Sequence, residues 1–255
     1  MDSPGFSKGL FSLTLISCTV TATLRHRRLL LVGNCKNGPM TEAPTFPAPV
    51  VLWSHDEAER AGKPLLVLLH GYGSNEDDLF SLAGLLPDGF VVAALRAPMP
   101  MGPGFTWFPL TASIDYSLEA VKHAAEYALE WLDTVKANHS SVTLLGFSMG
   151  MAMATTMLRY RPADFAAVVG LSGFVIDAGA DAAFRDDELD GSLPMFWGRD
   201  QQDPVITQDK IEYTMGWVRK HVDLTKVLYT GMWHGINQQE IGHVGEFLTH
   251  KVLTD

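Results

Sequence analysis

Between an apolar run, Val142-Thr143-Leu144-Leu145, and a run of helical character from Met149 to Arg161, the chain carries Gly146-Phe147-Ser148-Met149-Gly150. A strand that passes into a helix over such a G-x-S-x-G segment has to turn within about one residue, and a side chain at either glycine would meet the neighbouring strand or helix. The turn lifts the serine hydroxyl off the end of the strand. The helix behind it aims its free amides and its partial positive charge at the same spot. The segment thus asks for a sheet with helices laid against it, and it makes Ser148 a candidate nucleophile. In a chain with 23 glycines the pentapeptide alone is a weak signal, so its weight depends on what surrounds it.

The surroundings repeat the strand-then-helix pattern. Val50 to Trp53 reads as an edge strand, and Pro64 to Leu69 as a continuous apolar run of the kind buried on both faces. Phe90 to Leu95, Val142 to Leu145, Ala166 to Leu171, Leu193 to Trp197 and Thr225 to Tyr229 repeat it. Helical patterns fall between them. Asn75 to Leu86 opens on Ser74-Asn75-Glu76-Asp77, a capping-box pattern, and Tyr116 to Lys136 is amphipathic. Met149 to Arg161 stops at Pro162, and Gln208 to His221 and Gln239 to Lys251 complete the set. Alternating strands and helices predict an α/β fold with a mostly parallel central sheet and helices on both faces. The segments between strands leave no room for a large cap domain. Residues 50–255 read as one such domain and residues 1–49 as an N-terminal extension.

The extension differs in composition. Residues 1–39 carry Lys8, Arg25, Arg27, Arg28 and Lys36 against Asp2 alone, in a chain whose net charge is −10. They also hold both cysteines, Cys18 and Cys35. Gly9 to Leu24 is mildly apolar and Leu15-Ile16-Ser17-Cys18 resembles a lipoprotein cleavage box, but Asp2 and the close run Arg25-His26-Arg27-Arg28 oppose a secretory signal. Residues 1–39 read as a disordered tail or a mis-assigned start, with Met40-Thr41-Glu42 as the alternative beginning, and the cytoplasm is the expected location. The remainder is acidic, which argues against a nucleic-acid partner. It lacks cysteine, which excludes a thiol nucleophile, an internal disulfide or thiolate ligands there. No apolar run approaches the roughly 20 residues of a spanning helix, so stable membrane insertion is not expected. No His/Asp cluster has metal-ligand spacing, and neither metal nor cofactor is expected.

A serine hydroxyl needs a base, and the base needs a carboxylate to orient it. On an α/β scaffold these follow the nucleophile in the order Asp/Glu then His, at later strand ends. The segment Gly198 to Val205 follows the run Leu193 to Trp197 and offers Asp203, with Asp200 as its rival. Asp203 is preferred because Pro204-Val205 then leads into the next helix. His234 lies in Gly231-Met232-Trp233-His234-Gly235 after the run Thr225 to Tyr229, between glycines that let the loop bend. An oxyanion hole needs two amides. Met149, directly after the serine, supplies one, and Tyr72 in Leu69-His70-Gly71-Tyr72-Gly73 supplies the other. His70 reads as a brace for that loop.

These stretches resemble the carboxylesterase/phospholipase branch of the α/β-hydrolase superfamily, the branch that includes acyl-protein thioesterases. The resemblance rests on Leu69-His70-Gly71-Tyr72-Gly73-Ser74-Asn75-Glu76, Gly146 to Gly150, Asp203-Pro204-Val205 and Gly231 to Gly235, and runs from Val50 to Leu253. It implies the α/β-hydrolase fold, Ser148 as nucleophile, Asp203 as acid, His234 as base, and Tyr72 and Met149 as oxyanion donors. Family members often have glutamine where Met149 stands, and the spacer Gly198 to Asp203 also departs from the usual pattern. The resemblance further makes the Ala97 to Leu110 loop a wall of the acyl pocket, with Trp107 and Phe108 as its substrate-binding residues. Plain core packing is the competing reading of both. The function expected is hydrolysis of small to medium carboxylic esters or thioesters, with such a small molecule as partner and a homodimer left open. An acyltransferase on the same fold and a non-catalytic binding module are the alternatives.

Overall fold

The computed structural model describes residues 45–253 and, before them, the backbone of three strands. The chain divides into two units, Met1–Pro44 and Thr45–Asp255. In the first, β1 (Leu13–Leu15), β2 (Cys18–Arg25) and β3 (Arg28–Gly33) pair antiparallel in chain order. The expectations of a disordered tail, a signal segment or an alternative start fall on residues 1–44, outside the fully described part of the chain.

In the second unit, β4 (Val51–Trp53), β5 (Leu65–Leu69), β6 (Val91–Leu95), β9 (Val142–Phe147), β10 (Ala167–Leu171), β11 (Pro194–Asp200) and β12 (Asp223–Tyr229) form one sheet in the order β12-β11-β10-β9-β5-β6-β4. Every pairing is parallel except β4 with β6. The helices are α1 (Glu76–Phe80), α2 (Leu118–Val135), α3 (Met149–Tyr160), α4 (Gln208–His221) and α5 (Gln238–Leu248).

Period-two alternation explains why helices lie on both faces. Leu65, Val67, Leu69, Val91, Ala93, Leu95 and Leu144 face a core shared with α2, α3 and α4. Leu66, Leu68, Val92, Ala94, Leu145, Val169 and Phe196 face the opposite core, closed by Leu79 of α1 and Ile241, Val244 and Phe247 of α5. β5 and β6 are fully buried along their length, which is why they read as unbroken apolar runs rather than alternating ones.

Two elements differ from expectation. The first helix ends at Phe80, not Leu86, because the Ser81 hydroxyl donates to the Asp78 carbonyl at 2.6 Å and a separate 3₁₀ turn follows at Ala83–Leu85. A short hairpin, β7 (Met99–Met101) and β8 (Gly104–Thr106), lies where the sequence reads as loop. Three-residue strands, one with a central proline, carry too little periodic signal to be read. No helical cap covers the sheet among the described residues, and none of their helices is long and apolar enough to cross a membrane.

The chain order reverses beside β5. From β5 it steps outward to β6, then crosses back through α2 to β9 on β5's other side. Loops leaving the carboxyl ends of β5 and β9 therefore diverge and leave a crevice between them, the usual ligand position of an open α/β sheet.

One buried group makes the fold sensitive to pH. Glu240 of α5 has no exposed surface, and neither carboxyl oxygen has a hydrogen-bond partner among the described residues. Burial pushes its pKa up to about 8. Unfolding between the ordinary glutamate range and that value releases a proton from this group, so its contribution to stability falls as pH rises, by roughly 1.4 kcal/mol per pH unit, and levels off above it. Glu240→Gln removes this dependence. Its melting temperature relative to the parent is expected to be higher at pH 9 than at pH 5 in thermal scans, and an equal difference at the two pH values contradicts it.

Candidate active site

Ser148 is the single residue between β9 and α3, and its backbone sits at φ 55°, ψ −116°. Its amide donates to the Leu171 carbonyl at 2.8 Å and its carbonyl accepts from Met151 N at 3.0 Å. The flanking glycines allow the close approach. A Cβ on Gly146 would stand 2.1 Å from the Gly150 carbonyl oxygen, and one on Gly150 would stand 1.8 Å from that of Leu69. The turn is thus pressed against the end of β5.

The loop after β12 brings His234 to this serine. The imidazole Nε2 lies 3.0 Å from Ser148 Oγ, and Nδ1 lies 2.8 Å from Asp203 Oδ2. The Asp203 side chain is fully buried. Its other oxygen accepts from the amides of Val205 at 2.8 Å and Ile206 at 3.2 Å. Burial raises the Asp203 pKa, but the His234 contact and those amides outweigh it and hold the carboxyl below its ordinary value. An ionised carboxylate only accepts, so Nδ1 carries the proton and the Nε2 lone pair faces the hydroxyl. That is the geometry in which an imidazole can take a serine proton. Asp203, His234 and Ser148 are brought together; Asp200, the rival carboxylate, does not touch the imidazole.

The Tyr72 loop stands across the crevice. Gly71 is pressed on Phe147, with a Cβ placed 3.1 Å from its ring, and Gly73 takes φ +73°. The hairpin fixes this loop, since Gly73 N donates to the Phe105 carbonyl at 2.9 Å and Phe105 N donates to Ser74 O at 2.7 Å. His70 joins the ends of β5 and β6. Its Nε2 accepts from Ala97 N at 3.0 Å, which leaves the Nδ1 proton for the Gly71 carbonyl at 2.8 Å. Burial lowers its pKa and keeps it neutral in that role. Met149 N–H is the first amide of α3 and has no carbonyl to meet within its helix.

A cavity of about 490 Å³ opens onto Ser148 and His234. Leu110, Ile114, Phe174, Val205 and Ile206 give it apolar walls, and Tyr72 and Met149 also line it. Trp107 and Phe108, expected as pocket residues, are fully buried and do not line it. Trp107 Nε1 donates to the His70 carbonyl at 2.9 Å, and Phe108 packs edge-on against Tyr116. Phe174 and Ile206 were not singled out in the sequence. The strand-end rule points to Phe174, three residues beyond β10, whereas Ile206 has no local signature.

A profile of phospholipases and carboxylesterases matches residues 55–252. The chain belongs to the phospholipase/carboxylesterase family, a family of esterase-type hydrolases. It is 26% identical over 164 residues to an uncharacterized hydrolase of Saccharomyces cerevisiae, an alignment covering 64% of this chain and 51% of that protein. The chain therefore spans about half the length of that relative. Among solved structures, the Bacillus cereus carboxylesterase superposes with a TM-score of 0.66 at 19% identity, covering 80% of this chain and 93% of that one. The Zea mays acyl-protein thioesterase 2 superposes with a TM-score of 0.63 at 20% identity, covering 79% and 98%. At these identities the superpositions speak for the fold. The shared α/β-hydrolase fold is the one observed in this family member.

The tight turn is directly testable. Gly150→Ala forces backbone away from the Leu69 carbonyl and is expected to lower stability by about 2 kcal/mol or more in urea unfolding. Parent-like stability contradicts the close approach described.

Proposed function

We propose that this protein hydrolyses carboxylic esters of small to medium acyl groups, with thioesters of the same acyl groups as further substrates, through an acyl-enzyme on Ser148. The observation that carries the proposal is the continuous path from Asp203 through His234 to Ser148, with steps of 2.8 and 3.0 Å, at the mouth of an apolar cavity. As His234 Nε2 takes the hydroxyl proton, Ser148 Oγ bonds to the substrate carbonyl carbon. Negative charge gathers on the carbonyl oxygen, where the Tyr72 and Met149 amides are the donors assigned. One such donor contributes about 3 kcal/mol to the transition state. The tetrahedral species collapses, the alcohol or thiol leaves with the proton from His234, and the acyl group stays on Ser148. Water then repeats the cycle with His234 as base and releases the carboxylic acid. Asp203 holds the imidazole tautomer and stabilises its cation without taking the proton.

Leu110, Ile114, Phe174 and Ile206 are assigned to the acyl chain, which leaves the Tyr72 side of the cavity to the leaving group. These steps use no metal or cofactor.

Ser148→Ala is expected to keep the parent melting temperature and lose more than about 10³-fold in kcat on p-nitrophenyl butyrate. A loss below tenfold contradicts the assignment. Among p-nitrophenyl esters, kcat/KM is expected to peak at short or medium chains, and a maximum at palmitate contradicts the acyl-size reading.

A further inference from the structure

The carboxylate that competed with Asp203 in the sequence has a different set of partners. Asp200 is the last residue of β11 and is 1% exposed. Its Oδ1 accepts from Gln202 N at 2.6 Å, within the loop that carries Asp203. Its Oδ2 accepts from Met232 N at 2.5 Å and Trp233 N at 2.9 Å, within the loop that carries His234. One carboxylate thus ties the acid loop to the base loop. Trp233 takes φ +58°, a region that a non-glycine residue holds only when its surroundings fix it. The hydrogen bond from its amide to Asp200 is such a fixture.

The other side of His234 is held as well. Ser172 follows β10, is fully buried and has φ +43°. Its amide donates to the Gly198 carbonyl at 2.8 Å, and its hydroxyl donates to the Gly235 carbonyl at 3.1 Å. Residues 232 and 233 are anchored before the imidazole and residue 235 after it, on the ends of two adjacent strands.

We propose that Asp200 and Ser172 are positioning residues that clamp the His234 loop from both sides and so set the distance from the imidazole to Ser148. The inference rests on the esterase reading above and adds two residues to it, neither of which touches the reacting atoms. An asparagine at 200 keeps the shape but has one acceptor oxygen. It can serve the Gln202 amide or the Met232 and Trp233 amides, not both sets. A base displaced by about an ångström can cost on the order of 10²-fold in rate, while Leu110, Ile114 and Phe174 of the acyl cavity lie outside both the acid loop and the base loop. The clamp therefore acts on kcat and leaves KM alone.

The experiment measures kcat and KM on p-nitrophenyl butyrate for Asp200→Asn, Ser172→Ala and Asp203→Asn, each assayed well below its own melting temperature. Asp200→Asn is expected to lose about 10- to 100-fold in kcat with KM within about twofold of the parent. Ser172→Ala, which removes one hydroxyl and leaves the fold, is expected to lose kcat in the same direction by a smaller factor. A merely structural role would lower activity only in step with the unfolded fraction, and kcat per folded enzyme would not move. The clamp is overturned if kcat of either folded variant stays within about twofold of the parent, or if KM rises in proportion to the loss. Should Asp200→Asn fail to fold, Ser172→Ala decides alone. Full kcat in Asp203→Asn would instead sink the triad on which the inference rests.

Discussion

Ser148 holds a backbone conformation that costs on the order of 1–3 kcal/mol when nothing supports it, and the surrounding structure is arranged to support it. Leu171 of β10 accepts its amide, Met151 of α3 donates to its carbonyl, and Gly150 comes so near Leu69 of β5 that no side chain fits between them. Three adjacent strands thus meet at one turn. They are β5, β9 and β10, and the chain reverses direction beside β5, so the turn stands where the sheet leaves its crevice.

From that point outward the groups are carried by loops, and each loop is held by hydrogen bonds that do not take part in the proposed chemistry. His70 and the short hairpin hold the Tyr72 loop. The Val205 and Ile206 amides hold Asp203. Asp200 and Ser172 hold the residues on either side of His234. Such loops give a serine, an imidazole and a carboxylate from three strand ends a common geometry, because each is fixed to a rigid strand close to where it leaves it.

The parts legible in the sequence are those whose physics is local. Continuous burial wrote β5 and β6 as apolar runs. The elbow glycines, Gly146 and Gly150, announced a turn that tolerates no side chain. Strand-end order points to His234, and the Pro204-Val205 lead into the next helix points to Asp203 before Asp200; the fold brings these two side chains into hydrogen-bond contact with each other, and His234 with Ser148. What was not legible depends on partners distant in the chain. Asp200 has the same residue type as Asp203 and stands three residues before it, and only the fold shows that one of its oxygens, Oδ2, meets the amides of Met232 and Trp233. Trp107 and Phe108 read as pocket residues by type, yet both are fully buried and neither lines the cavity, while Ile206 reaches it from a loop with no periodicity to betray it.

The central claim is that Ser148, and not another hydroxyl, is the activated nucleophile. Incubating the protein with a fluorophosphonate and mapping the adduct by peptide mass spectrometry tests it most directly, because only a serine with a base in place reacts readily with such a reagent. The account predicts one stoichiometric adduct, on Ser148. An adduct confined to another residue, or none on folded protein, would contradict it.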